Sequence, residues 1–285
     1  VGLVADAALP GQEINLLTED GKLHRGVINI RAGHLQARDG QEHPGAQDMW
    51  IDLGVLDGAA ARGIGIGPGT QGVFHSPFEA LSEGVWKSKA VDNRAGCALC
   101  IEAFLNMKAL ANRLRLSAAF CVQEEVGGRG ASVLSTSRTI GRHSPDLAIV
   151  IDTVGAEGPA GVNDALGVRL GGGPVLRRYD FSPGSRLGHI PSREMVAWVR
   201  SVARSAGVAM QEDAYVGTFT DAATLSRSLP GGLPVVTLNL PRRNAHSSSE
   251  MFMESDLNAT AALIGALLRT TAEGDYPKKG KDYKE

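Results

Sequence analysis

Four side chains of metal-ligating type stand beside predicted strands and helices in the second part of the chain. They are Asp92, Glu125, Asp152 and His246. A carboxylate-rich set with a histidine suits Zn, Mn or Co. Because carboxylates brought together without a cation repel one another and raise each other's pKa values, convergence of this set would predict bound divalent ions.

Glu124 directly precedes Glu125, and two adjacent carboxylates at a strand end are expected to have separate roles because neighbouring side chains point in different directions. One can bind a metal ion while the other transfers protons. A divalent ion lowers the pKa of a bound water toward about 7, and an adjacent carboxylate can take its proton and later deliver it to a leaving amine. This division of roles predicts hydrolysis.

The elements that must position these side chains fall into two groups. Residues 1–84 contain short strand-like segments separated by Gly- and Asp-containing turns, which predicts a small β-domain. From residue 85, strands alternate with amphipathic helices, which predicts an α/β domain with a largely parallel sheet. Glu125, Asp152 and His246 follow the predicted strands 114–122, 147–151 and 233–240, at the sheet edge where such folds bind ligands.

The remaining elements are predicted from apolar spacing and from turn residues. We expect helices from Ala95 to about Ala111, from Pro191 to about Gly207, and from about Ser255 onward. The Cys97-x-x-Cys100 pair lacks a second pair or a nearby histidine and is interpreted as two small core residues. Residues 63–69 are predicted to form a loop, and residues 276–285 a tail without apolar periodicity.

The composition excludes several classes of partner. The 285 residues include 29 Lys+Arg and 31 Asp+Glu, so a net charge of −2 gives no basis for binding nucleic acid or an anionic membrane. The longest apolar stretches fall short of the roughly 20 residues that a membrane-spanning helix needs. With three cysteines and no apparent secretory signal, the sequence predicts a cytoplasmic protein.

Taken in order, motifs along nearly the whole chain resemble the dinuclear-metal aminopeptidase family of the tetrahedral, glutamyl and deblocking aminopeptidases. The resemblance implies a three-layer α/β/α zinc-aminopeptidase-like catalytic domain at residues 85–275 and an additional small β-barrel-like domain for assembly at residues 1–84. The motifs that carry it are Pro10-Gly11-Gln12, Asp20-Gly21-Lys22, Ile51-Asp52-Leu53-Gly54, Gly65-Ile66-Gly67-Pro68-Gly69, residues 89–96, residues 123–131, Asp152, Thr220-Asp221-Ala222, and His246-Ser247 with Glu250.

The same resemblance implies a role for each candidate residue. Asp92 bridges two divalent ions (Zn, Co or Mn), Glu125 and His246 complete one site, and Asp152 belongs to the other. Glu124 is then the general base of an aminopeptidase that acts on short peptides. The resemblance also implies a homo-oligomer, since the family forms hollow dodecamers.

The chain departs from the family pattern in two places. None of its seven histidines is followed two residues later by Asp, so the family's His-x-Asp motif is absent, which indicates either truncation or loss of an N-terminal segment. Because that histidine binds the metal shared with Asp152, we expect one tight metal position and one weak or empty position. A second departure is the segment Arg242-Arg243-Asn244-Ala245-His246, where the family more often has an aromatic residue shortly before the histidine.

Two other functions are compatible with these residues. The chain could be a catalytically impaired family member that serves as an assembly scaffold, because one ligand is missing. It could also be a glycoside hydrolase, since relatives carry endoglucanase names and pairs of acids cleave sugars. Three Trp and 5% aromatic residues leave few platforms for sugar stacking, which disfavours the last reading.

Overall fold

The computed structural model describes residues 4–32, 45–156 and 167–278. Contacts divide the chain into two compact units, the first mainly from residues up to 79 and the second mainly from residues 91–245 and 251–285. The strands are β1 (Glu13–Leu17), β2 (Leu23–Asn29), β3 (Trp50–Asp52), β4 (Gln71–Phe74), β5 (Glu79–Ser82), β6 (Val85–Ser88), β7 (Ala148–Gly155), β8 (Val175–Ser182), β9 (Leu187–His189), β10 (Gln211–Val216), β11 (Val235–Arg242) and β12 (Glu250–Met253). The α-helices are α1 (Gly58–Gly63), α2 (Val91–Asn106), α3 (Arg129–Thr136), α4 (Arg138–His143), α5 (Arg193–Ser205), α6 (Ala222–Leu225) and α7 (Glu254–Ala272).

The first unit is an antiparallel sheet with the strand order β3-β2-β1-β4. A tight turn joins β1 to β2, in which Thr18 Oγ1 donates to Asp20 Oδ1 at 2.5 Å and Gly21 adopts a φ of 82°. A positive φ of this kind is readily adopted by glycine. The strands predicted in this region are confirmed. Within the described residues the sheet is an open row with β3 and β4 at its edges, so the barrel-like closure is not confirmed.

The second unit contains a mixed sheet with the order β10-β8-β11-β7, and β9 pairs with β8. β11 runs parallel to β7 and β10 parallel to β8, whereas β8 is antiparallel to both β11 and β9. The expectation of a largely parallel sheet is therefore met only in part, because β8 and β10 run opposite to β7 and β11. The polar strands of the β8–β9 hairpin did not stand out from the sequence pattern. A separate sheet has the order β12-β6-β5.

Strand β11 lies at the centre of the packing, and all eight of its residues are buried. Because strand side chains alternate between faces, Val236 and Leu238 pack into the main core with residues of α2, α5 and α7. Val235 packs instead into a second core with Ala222 and Leu225 of α6. Helices thus cover both faces of this strand.

Residues 114–122 do not form the buried strand that their apolar run predicts. Phe120 is 51% exposed and Val122 68% exposed, and no described strand pairs with this segment. A strand needs a neighbour for its backbone N–H and C=O groups. The apolar run alone therefore did not suffice to place a strand.

The predicted helices are confirmed with shifted boundaries. α2 ends at Asn106 and continues as a 3-10 turn over Met107–Leu110. α5 begins at Arg193, after an N-cap in which Ser192 Oγ accepts from the Met195 N–H at 3.2 Å. Cys97 lies on α2 but is exposed, so its interpretation as a core residue is wrong.

Two remaining predictions concern membrane-spanning helices and the C-terminal tail. None of the helices in the described ranges is both long and apolar enough to cross a membrane. The predicted tail falls mostly outside the described residues, which end at Lys278.

Candidate metal centre

Asp92 lies at the start of α2, where the backbone is not yet helical. Asp92 and Asn93 have ψ angles of 107° and 42°, and the regular helix follows them. Asn93 fixes this start in two directions, since its Nδ2 donates to the Ile151 carbonyl at 2.7 Å and its Oδ1 accepts from the Gly96 N–H at 3.0 Å. The start of α2 is therefore tied directly to β7, beside Asp152.

Glu124 and Glu125 lie in a short 3-10 helix, Glu124–Val126, and not at the end of a strand. Gln123 on one side and Gly127 on the other have φ angles of 58° and 108°, and the Gly128 N–H donates to the Glu124 carbonyl at 2.8 Å. The two carboxylates therefore project from a tight helical turn. The strand-based reason for their separate directions is wrong, although their roles stay predictions.

Asp152 lies within β7, where it pairs with Asn239 of β11, and the Thr153 N–H donates to its Oδ1 at 2.8 Å. Burial raises the pKa of Asp152 well above its usual value, and the charges of Asp92 and Glu124 raise it further. Asp221 adds a smaller repulsion. Carboxylates from α2, β7 and the 3-10 turn thus act on one another, as the sequence predicted for a cation site.

His246 lies four residues after β11, in a left-handed backbone conformation with a φ of 54°. Its N–H donates to Glu250 Oε1 at 3.0 Å, and Glu250 is only 2% exposed. A buried carboxylate thus holds the backbone of the histidine through its N–H.

Asp92, Glu125 and His246 each offer one ligand atom, and these atoms all lie within 4.8 Å of one another. Two ligand atoms bonded to one ion at about 2.0–2.2 Å are at most about 4.4 Å apart, so this spacing fits one divalent ion after a small inward movement. Two carboxylates and an imidazole also match the donor preference of Zn, Mn or Co. Asp152 does not belong to this group of three, although its charge acts on Asp92.

Arg242 is a member of the centre that the sequence did not assign. Its Nη2 donates to Asp92 Oδ2 at 2.6 Å, and its Nε donates to Thr153 Oγ1 at 2.7 Å. Alternation along β11 places Arg242 on the same face as Leu240, which packs against Val91, the residue before Asp92. The alternation of this strand was therefore the signal in the sequence that could have placed Arg242 near Asp92.

Asp221, which follows Thr220 in a motif of the resemblance, also lies close to the centre. Its charge acts on Asp152 and on the Cys121 thiol, whose pKa burial and Asp221 together raise to about 12. Cys121 is thus protonated at neutral pH and does not act as a thiolate.

Comparison with known proteins identifies the family. The model of the M42 glutamyl aminopeptidase family matches residues 1–263. The putative aminopeptidase FrvX of Escherichia coli is 32% identical over 269 residues, which cover 91% of this chain and 70% of FrvX. The aminopeptidase structure from the archaeon Desulfurococcus kamchatkensis superimposes with a TM-score of 0.82 at 29% identity. The alignment covers 100% of this chain and 76% of that one.

The TET1 peptidase of Pyrococcus horikoshii, whose structures form a tetrahedron or a large octahedral shell, is 29% identical with a TM-score of 0.75. The alignment with it covers 94% of this chain and 74% of that one. The fold, the grouped ligand-type residues and the match over most of the chain agree with one another. The chain therefore belongs to the M42 glutamyl aminopeptidase family and is an aminopeptidase.

Proposed function

We propose that this chain hydrolyses the N-terminal residue from short peptides at the centre formed by Asp92, Glu125 and His246. The observation that carries the proposal is the grouping of these three ligand atoms within 4.8 Å in a chain of an aminopeptidase family. The three-layer α/β/α catalytic domain at residues 85–275 and the assembly domain at residues 1–84 are part of this proposal.

The residues that would hold the divalent ions, Zn, Co or Mn, follow from the positions described above. Asp92, Glu125 and His246 would bind one ion, and Asp152 with Asp92 a second, weaker one. When bound, such an ion polarises the scissile carbonyl and lowers the pKa of water at the site. Asp92 and Asp152 would counter the positive charge of the ions, and burial together with the charges of Asp92 and Glu124 makes the charged form of Asp152 costly without a cation.

Glu124 is the proposed general base. It precedes the ligand Glu125, and its charge acts on Asp152, so its carboxylate lies near the acidic centre. In the reaction it accepts a proton from the attacking water and later donates that proton to the nitrogen of the leaving amine. No net proton is gained or lost by Glu124 over one turnover, and the products are a free amino acid and a shortened peptide.

Assembly into a closed homo-oligomer is proposed from the likeness to TET1, whose structures form shells. The cytoplasmic location stays a prediction from composition. Of the two alternatives, the impaired scaffold is the stronger, and it differs from the proposal in having no peptidase turnover after loading with ions. The glycoside hydrolase alternative is not supported by the family that the chain matches.

The test is Glu124→Gln, compared with Glu102→Gln on the exposed side of α2 as a matched control. Both variants are loaded with Zn or Co and assayed on aminoacyl anilides. We expect Glu124→Gln to lower kcat by about 10²- to 10⁴-fold, because general acid–base transfer contributes about that much. Its ion content should equal that of the control, and unchanged turnover would remove Glu124 from the proposed mechanism.

A further inference from the structure

A buried arginine lies among the carboxylates of the proposed centre. The side chain of Arg242 is 5% exposed and that of Asp92 14% exposed, and their Nη2 and Oδ2 atoms are 2.6 Å apart. The Nε of the same guanidinium donates to Thr153 Oγ1 at 2.7 Å. Two hydrogen bonds in different directions therefore fix the position of this cation.

The register of the sheet explains why Arg242 reaches Asp92. In β11 the alternate residues Leu238, Leu240 and Arg242 point to one face, and Leu240 packs against Val91, the residue before Asp92. Arg242 pairs with Gly155 of β7, two residues beyond Thr153. The same face of β11 therefore places Leu240 in the core and the positive charge of Arg242 beside Asp92.

The position of Arg242 matters because Asp92 is the carboxylate that would serve both ions. One of its oxygens, Oδ2, already interacts with a full positive charge at hydrogen-bond distance. A second divalent ion that took this oxygen would face the guanidinium at close range and would leave it buried without its carboxylate. Buried charges that lose their partner are strongly unfavourable.

We propose that Arg242 takes the place of the second cation, so that the centre binds one divalent ion tightly at Asp92, Glu125 and His246. The guanidinium supplies Asp92 Oδ2 with the positive charge that a second ion would supply. This inference rests on the proposed location of the metal centre and goes beyond it by assigning Arg242 as a positioning residue that sets the ion count. The absent His-x-Asp histidine predicts the same ion count for wild type, so the Arg242 variants carry the test.

The experiment measures the number of ions bound by the full chain. Wild type, Arg242→Met, Arg242→Lys and the surface control Arg200→Met are titrated with Co²⁺ by calorimetry, and bound metal is counted by elemental analysis after gel filtration. Arg200 pairs with Glu212, and its side chain is 46% exposed, so its loss removes the same charge away from the centre. Mn²⁺ spin resonance on each protein reports independently whether two ions share a ligand.

We expect one tight ion for wild type, Arg242→Lys and Arg200→Met. Arg242→Met should bind two ions, with the second at least about ten-fold tighter than in wild type, since the competing charge is gone. Two tight ions in wild type, or no gain in a folded Arg242→Met, would overturn the role of Arg242. If wild type binds no ion, the proposed centre itself is wrong, which is a separate result. Should Arg242→Met fail to fold, Arg242→Gln, which keeps polar atoms but removes the charge, is counted in its place.

Discussion

The buried carboxyl group of Asp180 on β8 makes its own contribution to the pH dependence of stability. Asp180 is 1% exposed, and its Oδ1 accepts from the His189 N–H at 2.7 Å. Burial raises the pKa of Asp180 from 3.8 to about 6, even though the His189 N–H and the charge of Arg177 act in the opposite direction. The folded protein therefore holds a proton on Asp180 at pH values where the unfolded chain has lost it.

The sign and size of the effect follow from proton linkage. Below pH 3.8 both states are protonated, and the group contributes nothing. As the pH rises from 3.8 to about 6, the unfolded state gains stability, and the cost to folding becomes constant above that range. At about 1.36 kcal/mol per pH unit, the full cost is about 3 kcal/mol, of which about 1.5 kcal/mol is present at pH 5.

Asp180→Asn removes the titration while its amide oxygen can still accept the His189 N–H. The free energy of unfolding of this variant is compared with that of wild type by guanidinium denaturation at pH 5 and pH 8, followed by circular dichroism and by the emission of the buried Trp198. Any constant effect of the substitution cancels between the two pH values. We expect the variant to gain about 1.5 kcal/mol relative to wild type from pH 5 to pH 8.

The control for the loss of one negative charge is a carboxylate on the surface. Asp6→Asn removes one carboxylate from an exposed 3-10 turn and accounts for the change in net charge. If the difference between Asp180→Asn and wild type is the same at both pH values, Asp180 does not carry the proton that its burial implies. A difference that falls with pH would contradict the sign of the argument.

Two further predictions concern stability at neutral pH. Asp256→Asn keeps the shape of a buried residue whose Oδ2 and Oδ1 accept from the Gly171 and Gly173 N–H groups, both at 2.8 Å. Asparagine offers only one acceptor there, so we expect a loss of about 1–3 kcal/mol by urea denaturation; a loss under about 0.5 kcal/mol would show that the loop satisfies its amides otherwise. Ser192→Ala removes the N-cap of α5 and should cost about 0.5–2 kcal/mol, whereas Ser192→Asp, which also caps, should cost less. Equal losses for the two Ser192 variants would contradict the capping role.

The sequence predicted those elements whose pattern is local. β1 and the turn before β2 follow from alternation and from a Gly at positive φ, and α7 follows from three- and four-residue spacing. The strand at residues 114–122 was wrong, because an apolar run does not reveal whether a neighbouring strand is present to pair with it. The hairpin of β8 and β9 was missed because charged residues such as Arg177 and Asp180 interrupt its pattern.

In the candidate centre too, local patterns were predicted from the sequence and contacts between distant residues were not. The residue types predicted a cation site, and three of the four predicted ligands lie within 4.8 Å of one another. Three features of the centre could not be predicted: Asp152 lies within β7, Glu124 and Glu125 lie on a 3-10 turn, and Arg242 contacts Asp92. They depend on strand register and on contacts between residues as far as 150 positions apart. Such contacts leave no mark in local spacing.

The burial of β11 has a consequence for which parts of the centre can open locally. Arg242 belongs to a strand that is buried in all eight residues, while Glu125 is exposed on a turn that no described strand supports. Amides of β11 should therefore exchange with solvent only through global opening, and those of residues 124–126 through local opening. Glu125 can therefore move away from the centre by local opening while the Asp92–Arg242 pair and the core stay folded, so loss of the ion does not require unfolding of β11.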